Sequence, residues 1–168
     1  MKCFPHFAVT LALALCGSNT SAAQPITVLN AASAQKIIEG CVKHSAAKKQ
    51  SHAIAVVDNS GALLAFVRMD GNPPGVGEFA LQKAVAAAAW RFSTEQMSEA
   101  AQRNPGFSSA PKVVTVPGGV PIYAQRGGDL LGAIGVSGEA PQDDAACAIA
   151  GITAAGFSQS KNEVKSAI

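Results

Sequence analysis

The stretch VVDNSGALLAFVRMDG, from Val56 to Gly71, decides the fold class of this chain. Two apolar, β-branched runs flank a turn-forming Asn-Ser-Gly, which is the pattern of two antiparallel strands joined by a tight turn. We therefore predict strands over His52–Asp58 and Ala62–Met69. The DGNPPG that follows carries two prolines and two glycines, so we expect a loop there.

Helical periodicity surrounds this hairpin. Apolar residues recur at helical spacing from Ala31 to Lys48, and an alanine-rich helix is expected from Gly77 to Phe92. Thr94 is a candidate N-cap for a short third helix. The last helix is expected over Pro141–Phe157, because proline and aspartate are favoured at helix N-termini.

A second hairpin region lies before that last helix. We predict strands over Val113–Val116, Val120–Ala124 and Leu130–Ser137, with a turn over Arg126–Asp129. Glycine recurs every third residue in LLGAIGVSG, which matches no regular strand alternation, and we interpret these positions as bulges or close approaches of another backbone or a ligand. The element order predicts an α+β fold, a single domain with an antiparallel β-sheet flanked by α-helices.

Residues 1–23 have the pattern of a cleaved secretory signal. A lysine precedes the apolar run Phe7–Cys16, which is too short to span a bilayer, and small residues end at Ala23. We predict cleavage near Ala23, a periplasmic or secreted location, and a domain over residues 24–168. A lipoprotein signal with acylated Cys16 is the second choice, because the preceding leucine is bulkier than usual.

Two cysteines, Cys41 and Cys147, remain after this cleavage. An oxidising compartment allows a disulfide between them, but two separately buried thiols explain the pattern equally well. Without the leader the chain carries 12 basic and 11 acidic residues and no basic run. This balance argues against nucleic-acid binding and against electrostatic docking on a membrane.

Four segments carry a family resemblance: AVVDNSGALLAFVRMDG, ALQKAVAAAAW, PGGVPIYAQRGGDLLGAIGVSG and QDDAACAIAG, in this order within Ala31–Phe157. Together they resemble the family that includes GlcG, the haem-binding protein HbpS and the C-terminal domain of PduO-type proteins. The resemblance implies an antiparallel sheet flanked by helices, assembly into homo-oligomers, and haem as a cofactor. It leaves open whether the chain is an enzyme, and we favour binding over turnover.

Haem iron takes His, Met, Cys or Tyr as an axial ligand. The chain beyond the leader has two histidines, His44 and His52, which are therefore the candidate metal ligands. For each, another interpretation carries more weight. His44 lies near the C-terminal end of the first helix, where the dipole favours an imidazolium, and a histidine at the edge of a strand, such as His52, is more often solvated.

Charged residues stand at the ends of the two predicted strands. In the simplest interpretation Asp58 accepts hydrogen bonds from turn amides, and Arg68 pairs with Asp70 or with another carboxylate. In a functional interpretation Arg68 and Asp70 flank a cleft where the guanidinium holds a carboxylate or a haem propionate. Lys83 from the alanine-rich helix joins that site, or it snorkels on a packed helix face.

Two enzyme classes find no support in the sequence. Ser137 in GVSG lacks the GxSxG nucleophile elbow, and GGDLLGAIG lacks the GK[ST] ending of a phosphate-binding loop. Asp143 and Asp144 could bind a cation, but they are explained more simply as stabilising the N-terminal end of the last helix.

Three hypotheses of different classes follow. The first is an exported, oligomeric small-molecule binding protein for haem or another tetrapyrrole. The second is an enzyme or accessory for a small hydroxy- or oxo-acid, with Arg68 and Lys83 on the carboxylate. The third is a structural assembly subunit whose small-residue helices serve subunit packing. The predicted ligand-binding residues are Arg68, Asp70, Lys83, His52 and His44.

Overall fold

The structure, a computed structural model, describes residue 1 and residues 28–125 and 128–161. Residues 2–23 of the predicted leader lie outside the described residues, as do residues 126–127 of the predicted turn. Among the residues it describes, no helix is long and apolar enough to cross a membrane.

Helices and one antiparallel sheet make up the described part of the chain. The strands are β1 (Ala53–Asp58), β2 (Leu63–Arg68), β3 (Gly119–Tyr123) and β4 (Leu130–Ser137), in the spatial order β2-β1-β4-β3. The helices are α1 (Ala31–Lys48), α2 (Pro74–Trp90), α3 (Thr94–Arg103) and α4 (Pro141–Ala154), with a short 3-10 turn at Pro105–Ser109. The predicted α+β class with an antiparallel sheet flanked by helices is confirmed.

The central strand β1 is buried on both faces. Ile54 and Val56 belong to the core shared with α1 and α4, whereas Ala53, Ala55 and Val57 belong to a second core shared with α2. Because side chains alternate across a strand, this division places helices on both sides of the sheet.

Small residues allow α2 to lie very close to β4. A Cβ placed on Gly135 would clash with the backbone of Ala80 and Ala84 in α2. The predicted close approach of another backbone is therefore confirmed at this glycine.

The disulfide Cys41–Cys147 joins α1 to α4, with its Cα atoms 4.8 Å apart. This distance lies within the usual range for bridged cysteines. Of the two alternatives left open by the sequence, the structure contains the disulfide. The two helices also approach closely at Gly40, where an added Cβ would lie 2.8 Å from the Cβ of Ala154.

One predicted strand, one N-cap and two helix boundaries were wrong, including the end of α4, which lies at Ala154 instead of Phe157. Residues 113–116 form no strand; they lie beside α2, and a turn hydrogen bond from Val113 N to Ala110 O (3.3 Å) precedes them. α2 begins at Pro74 instead of Gly77, since proline suits a first helical turn. The N-cap of α3 is Ser93, while Thr94 accepts a hydrogen bond from Gly119 N at 2.9 Å.

β2 forms one edge of the sheet and carries exposed apolar side chains. Leu63 is 51% exposed and Phe66 is 45% exposed. Phe66 lies on the α2 side of the sheet, where an added Cβ on Gly77 would be 3.0 Å from its ring. Leu63 and Phe66 are the exposed large hydrophobic residues of the described sheet.

Candidate functional site

Lys83 is the most unusual residue of the core, because its side chain is only 1% exposed. Its Nζ donates to Asp144 Oδ2 at 2.9 Å and to the carbonyl oxygen of Val136 at 2.9 Å. Nζ also lies 4.8 Å from the centre of the Phe79 ring, within cation–π range. Lys83 thus neither snorkels to solvent nor lines an open cleft; it ties α2 to α4 and β4.

Asp144 is the partner that the sequence did not identify. It lies in the first turn of α4, and its Oδ1 accepts a hydrogen bond from Glu139 N at 3.1 Å. The predicted position of the aspartates in the first helical turn is confirmed, but no side chain caps α4 by a hydrogen bond, and the second oxygen of Asp144 holds a buried ammonium group. A fully buried lysine requires such a carboxylate, yet nothing local in the sequence pairs residues 61 positions apart.

His52 joins this pair from the other side. Its side chain is fully buried, its Nδ1 is 2.8 Å from Ser45 Oγ, and its Nε2 is 3.6 Å from Asp144 Oδ1. Nε2 has no hydrogen-bond partner. The expectation that His52 is solvated was wrong, because β1 lies inside the sheet and not at its edge, with helices on both of its faces.

Burial sets the direction of the pKa values in this network. It lowers the pKa of His52, against the opposing charges of Asp144, Glu139 and Asp143. It likewise lowers the pKa of Lys83 and raises the pKa of Asp144, although each is the main counteracting influence on the other. Burial thus favours the neutral form of each of these side chains, while the opposite charges beside it favour the charged form.

The strand-end charges have separate structural roles. Asp58 Oδ1 accepts from Ser60 N at 2.8 Å and from Ala62 N at 3.0 Å, so the turn-capping prediction is confirmed. Its pKa is lowered mainly by the hydrogen bond from the Ser60 side chain. Asp58 therefore stabilises the hairpin turn.

Arg68 and Asp70 do not pair with each other. Arg68 is exposed and its Nη1 donates to the carbonyl oxygen of Asn72, and Arg68 forms no ion pair with any described residue. Asp70 is exposed, and its backbone oxygen accepts a hydrogen bond from Ser51 Oγ at 2.7 Å. The predicted pairing of Arg68 with Asp70 was wrong.

His44 is the other candidate ligand. It is half-buried, and its Nε2 is shielded from solvent without a hydrogen-bond partner. It lies one helical turn from Gly40 and from Lys48, on the side of α1 that faces α4. Of the predicted ligand-binding residues, the structure joins only Lys83 and His52, through Asp144.

Two of the open grooves on the described surface border its helices. One of about 370 Å³ lies between α3, β3 and α4 and includes Gly118, Gly119 and Ile149. The other, of about 360 Å³, runs beside α2 and is lined by Leu81, Gln82, Val85, Lys112, Val113 and Val114. Neither groove is lined by His, Cys, Met or Tyr, and the described residues contain no cluster of three or more His, Cys, Asp or Glu that could hold a metal ion.

Comparison with known proteins agrees with this architecture. Residues 29–153 match the model of the family described as "Haem degrading protein HbpS-like". Protein GlcG of Escherichia coli K12 is 34% identical over 111 residues, which are 66% of this chain and 81% of that protein.

Solved structures show the same fold. A double mutant of Streptomyces reticuli HbpS is 26% identical, with a TM-score of 0.70 over 84% of this chain and 97% of that chain. The PduOC:heme complex is 23% identical, with a TM-score of 0.71 over 80% of this chain and 99% of that chain. The chain therefore belongs to the HbpS-like haem-degrading family.

Proposed function

We propose that this chain is an exported, oligomeric protein that binds haem or a related tetrapyrrole. Membership of the HbpS-like family supports the ligand class. The observation that carries the proposal in this chain is the unpartnered Nε2 of His44. An imidazole nitrogen that makes no hydrogen bond within the protein can ligate iron without the loss of such a bond.

His52 is a poor iron ligand. It is fully buried, its Nδ1 is held by Ser45, and its Nε2 faces the Asp144 carboxylate. Reaching iron would require opening the layer between α1, α4 and the sheet. We therefore assign iron ligation to His44 and a structural role to His52.

The surroundings of His44 suit a porphyrin on the outside of the helical layer. Haem supplies an iron that accepts the imidazole nitrogen and two propionates that require cations. Lys43 and Lys48 are exposed on α1 beside His44 and are suited to the propionates. Neither groove is lined by His44, and its Nε2 is buried, so the side chain would have to rotate outward to reach the iron.

Lys83 and Arg68 are engaged separately, by Asp144 and by Asn72. No contact joins them among the described residues. We therefore do not advance the hypothesis of a small-acid enzyme that uses both cations on one carboxylate.

Absorbance titration with hemin tests the ligand. We expect a saturable Soret band with residues 24–168, at least tenfold weaker binding in His44→Ala, and unchanged binding in the matched variant His52→Asn. A non-saturating titration of the parent protein would overturn haem binding. Equal affinity in the parent and in His44→Ala would overturn the ligand assignment alone.

Export and assembly have their own tests. The leader pattern supports export, and the exposed apolar side chains of Leu63 and Phe66 on β2 support subunit contact at that edge. We expect light scattering to give a mass above the 17.0 kDa of one chain and Phe66→Lys to lower it. N-terminal sequencing of exported protein should begin near Gln24. A monomer, or an intact leader, would contradict the respective part.

A further inference from the structure

Ser45 connects the buried network to the disulfide. It is fully buried, and its Oγ lies 2.9 Å from the carbonyl oxygen of Cys41, 2.8 Å from His52 Nδ1 and 3.2 Å from Cys147 Sγ. A hydroxyl has one proton to donate. The three neighbours therefore compete for the Ser45 proton. The group that accepts it determines whether His52 Nδ1 acts as a donor or as an acceptor.

In the disulfide form neither sulfur carries a hydrogen. Ser45 Oγ donates to the Cys41 carbonyl oxygen, so its lone pairs face His52 Nδ1, which must then be the donor. We assign the neutral ring the Nδ1–H tautomer, which leaves a bare lone pair on Nε2. Nε2 lies 3.6 Å from Asp144 Oδ1, beyond hydrogen-bond distance, and has no other partner.

Reduction supplies a competing donor. A dithiol transfers two electrons and two protons: it becomes a cyclic disulfide while the S–S bond is replaced by two S–H groups. Cys147 Sγ is 3.2 Å from the Cys41 carbonyl oxygen, within reach of a thiol hydrogen bond. Once that oxygen is occupied, the Ser45 proton is free to turn to His52 Nδ1, and the ring proton must then lie on Nε2, facing Asp144.

We infer that the redox state of the Cys41–Cys147 bridge selects the nitrogen of His52 that carries the proton. This goes beyond the proposed function and does not depend on haem. Both cysteines are fully buried, so a dithiol reaches the bridge only when the contact between α1 and α4 opens locally. The disulfide is the only side-chain covalent link between α1 and α4 among the described residues, and Ser45 converts its chemical state into a change at the centre of the core.

The proton affinity of His52 changes with the tautomer. In the disulfide form a second proton enters at Nε2, beside Asp144. In the dithiol form it must enter at Nδ1 and displace the Ser45 hydrogen bond, for which no other acceptor is free. The charged groups around the ring are Asp143 and Asp144 of α4, Glu139 before it and His44 of α1, with Lys83 of α2 reached through Asp144; we expect all of them to be common to both forms.

Nitrogen NMR on histidine-labelled protein tests this directly. We expect the Nδ1–H tautomer in the oxidised protein and the Nε2–H tautomer after dithiothreitol, with the midpoint of His52 titration lower by about one pH unit, the equivalent of one hydrogen bond. Alkylation of two thiols verifies complete reduction. His44→Gln assigns the signals, since His44 and His52 are the histidines beyond the leader.

Two variants separate the relay from loss of the bridge. In Ser45→Ala, oxidised and reduced protein should share one tautomer, because the relaying hydroxyl is gone. In the double variant Cys41→Ala, Cys147→Ala there is no bridge and no thiol donor, so the Nδ1–H tautomer should persist. Identical nitrogen shifts in oxidised and reduced parent protein would overturn the inference, as would a tautomer change that survives Ser45→Ala. If the double variant does not fold, the comparison of oxidised and reduced parent protein still tests the inference.

Discussion

The buried Lys83–Asp144 pair is expected to respond very differently to the loss of one partner and to the loss of both. Asp144→Ala leaves the Lys83 ammonium 1% exposed, with only the Val136 carbonyl and the Phe79 ring beside it. An uncompensated buried charge of this kind costs about 3–5 kcal/mol. Because a domain of this size has a stability of about 5–15 kcal/mol, much of the native stability would be lost.

The double variant Lys83→Met, Asp144→Leu removes both charges and replaces them with apolar side chains of similar branching. Such replacements are often neutral or stabilising, but this one also removes the acceptor of Glu139 N, which is worth about 1 kcal/mol. We therefore expect the double variant to lie within about 1.5 kcal/mol of the parent protein.

Urea unfolding followed by circular dichroism measures these differences by linear extrapolation. The neighbouring variant Asp143→Ala is the matched control, since that carboxylate is 38% exposed and 3.7 Å from Lys48. A surface pair of this kind contributes about 0–1 kcal/mol. A loss below 1 kcal/mol in Asp144→Ala, or a double variant as unstable as the single one, would refute the reasoning that a buried charge dominates here.

Three further predictions concern stability. Burial lowers the pKa of His52 below the ordinary histidine value of 6.5, so the stability that neutral His52 contributes is present above pH 6.5 and is lost as the pH falls through the folded-state pKa. His52→Asn should therefore flatten the pH dependence of the urea midpoint below pH 6.5, and an unchanged slope would contradict this. Reduction of the disulfide, which closes a loop of 106 residues, should lower the unfolding free energy by about 4 kcal/mol, and equal midpoints with and without dithiothreitol would count against it. Gly135→Ala forces a Cβ into the backbone of α2 and should lower the free energy of unfolding in urea by about 3 kcal/mol. The control Gly75→Ala has open space around its added Cβ and should leave the free energy of unfolding unchanged. Equal stabilities of the two variants would disprove the close-packing argument.

Local patterns predicted most of the helices and strands. α1 and β4 have the predicted bounds, Ala31–Lys48 and Leu130–Ser137, because a long periodic or apolar run is bounded by clear capping or turn residues. The strand predicted over residues 113–116 is absent, because local pattern alone does not make a strand. A β-branched run forms a strand only where it can pair with the edge of a neighbouring strand, and in the described sheet β3 pairs with β4 while residues 113–116 pair with neither.

The candidate site was less predictable than the fold. Lys83 and His52 were selected as functional residues, but the sequence suggested an open cleft for Lys83 and a solvated edge for His52. The alanine-rich sequence around Lys83 could have corrected this. Alanines allow such close helix packing that the lysine side chain has no path to solvent. Ser45 carried no signal at all, since a serine within a helix is ordinary.

By itself, the sequence determined the α+β class, the hairpin with its Asp58-stabilised turn, the near-neutral charge and the small residues that permit close helix packing. These are properties of neighbouring residues, and short-range periodicity and turn chemistry are sufficient to specify them. Only the tertiary structure decided that Lys83 meets Asp144 and that Ser45 contacts both His52 and Cys147. These contacts join groups on different elements, Lys83 with Asp144 across 61 positions and Ser45 with Cys147 across 102. They depend on the order of the strands and on which helix covers which face of the sheet.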